Sequence, residues 1–283
     1  MDRKEKLELQ KFATQIRIET TKEVGIRGFG HLGGALSIVD ALAVLYGKQM
    51  KYKPEDPKWA DRDIMVCSKG HAGPAIYATL ALKGFFPMDM LKTLNQPGTK
   101  LPSHCDRKLT PGVDMTTGSL GQGVSAAMGM ALAQKMDKKD SRTYLFIGDG
   151  EANEGQVWEG ALFAHQHKLD NLIAFIDDNG KQLDGYTKDV MDMGDIAAKY
   201  KAFGWNAVTI DGHDVEAIDR AIEDAKKVKG VPTAIVMKTV KGKGIKDLED
   251  MLLNHHIRID DTFTNKAVGE LEAKLAEIEK ELN

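Results

Sequence analysis

Residues 148–185 read GDGEANEGQVWEGALFAHQHKLDNLIAFIDDNGKQLDG. The apolar run 144–147 stops at Gly148-Asp149-Gly150, and a second run, 172–176, stops at Asp177-Asp178-Asn179-Gly180. Both runs predict buried strands that end at small and acidic residues. Between them Trp158, Ala161, Leu162 and His165 recur at helical spacing, so the segment is a β-α-β unit. Its crossover sets the strands parallel, and both strand ends emerge on one edge of the sheet. Asp149 and Asn179 therefore meet there, although thirty positions apart. One carboxylate and one amide oxygen, with backbone carbonyls and waters, suit a hard divalent ion such as Mg²⁺, whose octahedron is completed by phosphate oxygens. Glycines beside the acid let a diphosphate approach the backbone.

The same alternation extends along the chain. Residues 7–24 predict a helix ending in the glycine-rich stretch 25–34, and a second helix starts near Ser37 and runs to Leu45. Residues 61–68 predict a strand that leads into Lys69-Gly70-His71-Ala72-Gly73 and a helix over 74–83. A glycine- and threonine-rich loop, 112–123, opens a helix over 125–135. After the β-α-β unit come a helix at 197–203, a strand at 205–210, a helix at 215–227 and a strand at 233–239. Residues 265–283 form a charged amphipathic helix. Alternating strands and helices give an α/β fold: a mostly parallel sheet with helices on both faces. Ligands of such sheets bind at the carboxyl ends of the strands, where the loops after residues 66, 147, 176 and 239 fall.

With 283 residues and 42% apolar content the chain suffices for one large domain, 1–283. Lys and Arg number 39 against 42 Asp and Glu, a net charge of −3 that gives no basis for nucleic-acid binding. No run is long enough to span a bilayer, and the charged amino terminus is no signal peptide. Cys67 and Cys105 lack metal-ligand spacing and read as reduced thiols in the cytoplasm.

The segment from Gly148 to Asn179 resembles the thiamine-diphosphate motif of the transketolase family: GDG, about thirty residues, then an Asn closing a strand. Many relatives have two adjacent Asn there; this chain has Asp178-Asn179. GHLGGALSIVDALAVLY, RDIMVCSKGHAGPAIYATLALKGF, PGVDMTTGSLGQGVSAAMGMALAQK and KTVKGKGIKDLEDMLLNHH are similar to four further family segments. The match runs from about residue 7 to about residue 260 and covers the diphosphate-binding domain, a thiamine-diphosphate-binding fold. It implies thiamine diphosphate and Mg²⁺, with Ca²⁺ or Mn²⁺ as substitutes. The family continues with a pyrimidine-binding domain and a carboxyl-terminal domain, and the pyrimidine domain supplies the glutamate that activates the cofactor. The resemblance therefore implies a split enzyme, whose partner is a C-terminal transketolase subunit in an α2β2 assembly acting on sugar phosphates.

The resemblance assigns Asp149 and Asn179 as metal ligands, with the Lys181 carbonyl as a third. Their plain alternative is a helix cap and a turn Asn. Gly148 and Gly150 lie against the diphosphate, Leu183 packs on the cofactor rings, and Gly118, Ser119 and Leu120 match a loop whose backbone faces the aminopyrimidine. His31, His71, His104 and His255 match active-site histidines. His71 donates to the diphosphate, and His31 and His104 bond sugar hydroxyls or shuttle protons. The flank LPSHCDRKLT departs from the family around His104. MLLNH replaces an aromatic-His pair before His255, for which His256 is the alternative. Glu154 and Glu159 open the crossover helix, a favourable place for acids; in the family such acids lie in the dimer interface and link paired active sites. Cys105 is not read as a nucleophile. For Lys241 and Lys243 a phosphate contact is one reading and solvation of an exposed loop the plainer one.

The implied reaction transfers a two-carbon ketol unit from a ketose phosphate to an aldose, with the cofactor carrying the difficult step. Three alternatives stay open: a 1-deoxyxylulose-5-phosphate synthase-like chain, a 2-oxo-acid dehydrogenase alpha-like subunit, and a non-catalytic assembly or regulatory subunit.

Overall fold

The computed structural model describes residues 1–283. Seven strands alternate with helices: β1 (Phe29–Gly30), β2 (Ile64–Cys67), β3 (Thr143–Gly148), β4 (Leu172–Asp178), β5 (Asn206–Asp211), β6 (Thr233–Lys238) and β7 (Ile257–Arg258). The helices are α1 (Arg3–Arg27), α2 (Leu32–Leu36), α3 (Val39–Val44), α4 (Gly73–Leu82), α5 (Gln122–Met136), α6 (Gly155–Gln166), α7 (Thr187–Val190), α8 (Ile196–Ala202), α9 (Val215–Lys227), α10 (Lys246–Asp250) and α11 (Asp261–Leu282). Five strands form one all-parallel sheet in the order β2-β3-β4-β6-β5. In the β3–β4 pair Thr143 faces Leu172 and Gly148 faces Asp177, as the β-α-β reading requires.

Alternate residues of each strand feed two separate cores, the consequence of a period of two. Tyr144, Phe146, Ile173, Phe175, Ile235 and Met237 join the face covered by α1 to α4, α9 and α11. Leu145, Ile147, Ala174, Ile176, Ala234 and Val236 join the face covered by α5, α6 and α8. Strands buried on both sides carry continuous apolar runs, which is why β3 and β4 are plain in the sequence. Phe146 and Phe175 stack at a centroid distance of 4.9 Å in the first core.

Three local departures matter for the site. The helix expected over 37–45 is broken into α2, α3 and a π-helical turn, Leu45–Gln49, and its first turn lies before Ser37. The last helix begins at Asp261, ahead of the expected 265, because the Asp260 carboxylate accepts from Phe263 N and caps it there. The two-residue strands β1 and β7 pair antiparallel, Phe29 with Arg258 and Gly30 with Ile257. Gly28 ends α1 in the left-handed region, φ 79°, and turns the chain into β1. This ribbon holds the His31 and His255 loops side by side. No helix is long and apolar enough to cross a membrane.

Candidate active site

A cavity of about 400 Å³ opens at the carboxyl ends of the parallel strands. Each strand delivers its part. After β2, a short 3-10 turn (Gly70–Ala72) carries His71; β3 delivers Asp149, β4 Asn179 and β6 Lys241. His31 follows β1, His104 lies in the loop before α5, and His255 lies just ahead of β7, separated from it by His256. His31, His71, His104 and His255 all line the cavity. His31 is central: its ring centroid lies 5.5 Å from His71, 5.2 Å from His104, 5.3 Å from His255 and 4.7 Å from His256. His256 is exposed and stands outside the wall, so the structure favours His255 of the two.

Burial, with neighbouring positive groups second, lowers His31 to about 4 and His255 to about 3. Burial also moves His71 well below and His104 below the ordinary imidazole value. These rings are therefore neutral near pH 7, each with one donor and one acceptor nitrogen. His31 Nδ1 and Gln182 Oε1 are buried without a partner, on side chains that line the cavity. Unmet polar atoms on such a wall fit a polar ligand.

The Asp149 and Asn179 ends come together. Asp149 Oδ2 accepts from Gly180 N at 2.7 Å and Thr187 Oγ1 at 3.0 Å, and Oδ1 accepts from Gly150 N at 2.8 Å. Asn179 Oδ1 accepts from Lys181 N at 3.1 Å, while its Nδ2 donates to Asp177 Oδ2 at 2.8 Å. Asp149 Oδ1 and Asn179 Oδ1 thus each retain a lone pair. Burial, then the charge of Asp177, pushes Asp149 up to about 6. A buried carboxylate crowded by a second one fits a cation. The third expected donor, the Lys181 carbonyl, is engaged: it accepts from Lys241 Nζ at 2.9 Å.

Gly118, Leu120, Gly150, Glu154, Lys181 and Leu183 line the same cavity. Gly148 is buried and Asn179 half-buried next to these lining residues, and Ser119 is exposed where α5 begins, its carbonyl accepting from Gln122 N at 3.2 Å. Glu159 faces away, beside Ser125, Gly129 and Phe163 on the α5–α6 surface.

Of the two readings of Lys241, the plainer one, a lysine solvating an exposed loop, is corrected by the structure. It is 3% exposed, lines the cavity and holds its ammonium 3.2 Å from His255 Nδ1. Burial, with Lys69 adding to it, lowers Lys241 to about 8. Three further groups escaped the sequence reading. Asp177 gathers Ser37 Oγ, Lys69 Nζ and Asn179 Nδ2 on Oδ2 and Thr239 Oγ1 on Oδ1. Lys69 also donates to Gly34 O at 2.6 Å, which ties the His71 loop to the His31 loop. Glu151 accepts from Ser68, from Gly121 N at 2.8 Å and from Gly148 N at 3.1 Å. Lys69 stood inside SKGHAG, and a lysine between Ser and Gly-His at a strand end was the available signal. Burial pushes the Cys105 thiol up to about 12, consistent with an inert cysteine.

The family model described as transketolase, thiamine diphosphate binding domain, matches residues 9–265. The chain belongs to the transketolase family. It is 51% identical over 268 residues to the 6-deoxy-6-sulfo-D-fructose transketolase subunit of Clostridium sp. (strain MSTE9), covering 95% of this chain and 98% of that one. It is 39% identical over 254 residues to one of the apulose-4-phosphate transketolase subunits of Phocaeicola vulgatus, covering 90% of each. Among solved structures, Pichia stipitis transketolase in complex with sedoheptulose 7-phosphate superposes with a TM-score of 0.84 at 32% identity, over 98% of this chain and 45% of that one. Transketolase from Campylobacter jejuni gives 0.83 at 30% identity, over 99% and 48%. The chain thus spans about half the length of these solved transketolases and nearly all of the relatives named as subunits. Thiamine diphosphate is the cofactor of the matched domain.

Proposed function

We propose that this chain, read as one unit over 1–283, is the diphosphate-binding half of a two-chain transketolase. Its partner supplies the pyrimidine-binding and carboxyl-terminal domains, and two copies of each form an α2β2 assembly. Thiamine diphosphate, when bound, supplies the carbon nucleophile and electron sink for ketol transfer. This chain's own residues hold the cofactor's anionic end and face the sugar. Asp149 and Asn179 offer hard oxygens to Mg²⁺, and the Lys181 carbonyl joins them once Lys241 moves to the anion. Lys241 and His71 hold anionic oxygens. Neutral His31, His104 and His255 face the sugar, where they donate to hydroxyls or relay a proton. Leu120 and Leu183 give the apolar surface for the rings.

The observation that carries this reading is the Gly180 N–H to Asp149 Oδ2 bond at the wall of a cavity lined by four histidines. The sulfosugar relative at 51% identity directs the substrate reading to ketoses ending in an anionic group, with a sulfonate to be assayed beside a phosphate. Two free buried cysteines suit a cytoplasmic setting. The test is calorimetry with thiamine diphosphate and Mg²⁺ on wild type and Asp149→Ala, followed by ketol-transfer assays with and without the partner chain. Saturable binding lost in the variant, and turnover only in the mixture, is the expected result. Full turnover by the single purified chain overturns the split-enzyme reading.

A further inference from the structure

The turn that presents Lys241 is gripped at both ends from behind the site. Val240 N–H donates to His213 Nε2 at 2.8 Å, and the Lys243 carbonyl accepts from Arg17 Nε at 3.0 Å. Asp40 joins these two grips. Its Oδ1 accepts from Arg17 Nη1 at 3.0 Å and its Oδ2 from Arg17 Nη2 at 2.6 Å, while His213 Nδ1 stands 2.7 Å from Oδ2. Arg17 is on α1, Asp40 on α3 and His213 in the loop after β5. None of the three lines the cavity. Within the turn, Gly242 N–H donates to Gly33 O at 3.0 Å, and Lys241 O accepts from Asn254 Nδ2 at 3.0 Å. Each residue of the turn from Val240 to Lys243 is thus tied through its backbone, with Lys241 lining the cavity.

The partners of His213 decide its protonation pattern. Val240 offers an N–H, so Nε2 must be the bare acceptor, and the ring proton sits on Nδ1 facing the Asp40 carboxylate. A carboxylate that fixes which imidazole nitrogen is bare is the way outer residues orient a functional ring. Arg17, bidentate on the same carboxylate, holds Asp40 in place.

We infer that His213 is a positioning residue: the Arg17–Asp40 pair locks its tautomer, and its Nε2 sets the 240–243 turn that carries Lys241 to the cofactor's anionic oxygens. The destination of Lys241 rests on the function proposed above; the clamp itself does not. Two substitutions separate the contacts of His213. His213→Asn keeps a donor toward Asp40 and is too short to reach Val240. His213→Gln places an amide oxygen near the Nε2 position.

Amide hydrogen exchange on the ligand-free full chain reads the clamp. Exchange in the 240–242 segment rises about tenfold in His213→Asn, the worth of one hydrogen bond, and stays near wild type in His213→Gln. Calorimetry with thiamine diphosphate and Mg²⁺ reads its consequence. Kd rises about tenfold in His213→Asn, recovers in His213→Gln, and changes little when His213→Asn is added to Lys241→Ala. Equal exchange in the Asn and Gln variants overturns the clamp. A full loss of affinity that persists in the absence of Lys241 overturns the route through that lysine. Absence of binding by wild type removes the functional reading instead, and the exchange contrast alone then decides the clamp.

Discussion

The Lys69 ammonium lies 2.7 Å from Asp177 Oδ2, with 2% and 0% of the two side chains exposed. Burial alone drives the Asp177 carboxyl up; the Lys69 charge and hydrogen bond, with Thr239 and Ser37, outweigh it and hold the group below the usual carboxylate range. Lys69→Ala strands that carboxylate and costs about 3–5 kcal/mol in urea unfolding at pH 7. The sign follows from linkage. A lowered folded pKa contributes stability above the unfolded value of about 3.9 and loses it as pH falls through the folded value. In the variant Asp177 is protonated more easily, so the gap between the two proteins narrows as pH drops from 7 toward 4. A gap that is constant across that range rejects the assignment.

His71→Ala is expected to leave the fold intact and to weaken thiamine diphosphate binding by about tenfold or more, the worth of a hydrogen bond to a charged group. His71 lines the cavity and its ring neighbours His31 and His255, but it carries none of the ties between strands. The check is calorimetric Kd beside thermal unfolding of the ligand-free chain. An unchanged Kd with a lowered Tm would make His71 a packing residue.

Gly33 touches the far side of the site. A Cβ there would stand 2.1 Å from the Asn254 carbonyl oxygen, a backbone atom that cannot step aside without moving the loop. Gly33→Ala therefore costs about 1–3 kcal/mol through overpacking. It also displaces the Asn254 side chain that holds Lys241 O and Leu248 O. Loss of stability accompanied by loss of cofactor affinity is expected, measured by denaturant unfolding and calorimetry on the same preparation.

Glu23 on α1 is 1% exposed, and neither carboxyl oxygen has a partner. Burial, with Glu19 second, raises it well above the ordinary carboxylate value. A raised folded pKa gives full stability below the unfolded value of about 4.3 and a loss as pH climbs toward the folded value. Glu23→Met should stabilise the chain at pH 8 by about 1–3 kcal/mol, and the advantage should shrink toward pH 4.5. Urea midpoints at the two pH values decide it.

Much of the layout was legible because parallel strands buried on both faces write themselves as unbroken apolar runs. β3 and β4 were read to within a residue or two, and the loops at their ends followed. The His31 and His71 loops were legible through their glycine-rich settings. What escaped depends on contacts distant in sequence. Lys241, in the solvent-like string KGKG, is buried only because Asn254, Lys181 and Gly33 close around it. Two-residue strands such as β1 and β7 carry no periodicity, so their pairing had no sequence signature. The Arg17–Asp40–His213 contact joins three elements that no local pattern connects.

The small antiparallel ribbon closes a very long loop. It binds Phe29 to Arg258, so two stretches far apart in the chain meet at the mouth of the cavity. None of the five strands of the large sheet takes part in that pairing. Building the scaffold and shaping its mouth are thus separate closures, and the ordering entropy of the long loop falls on the second.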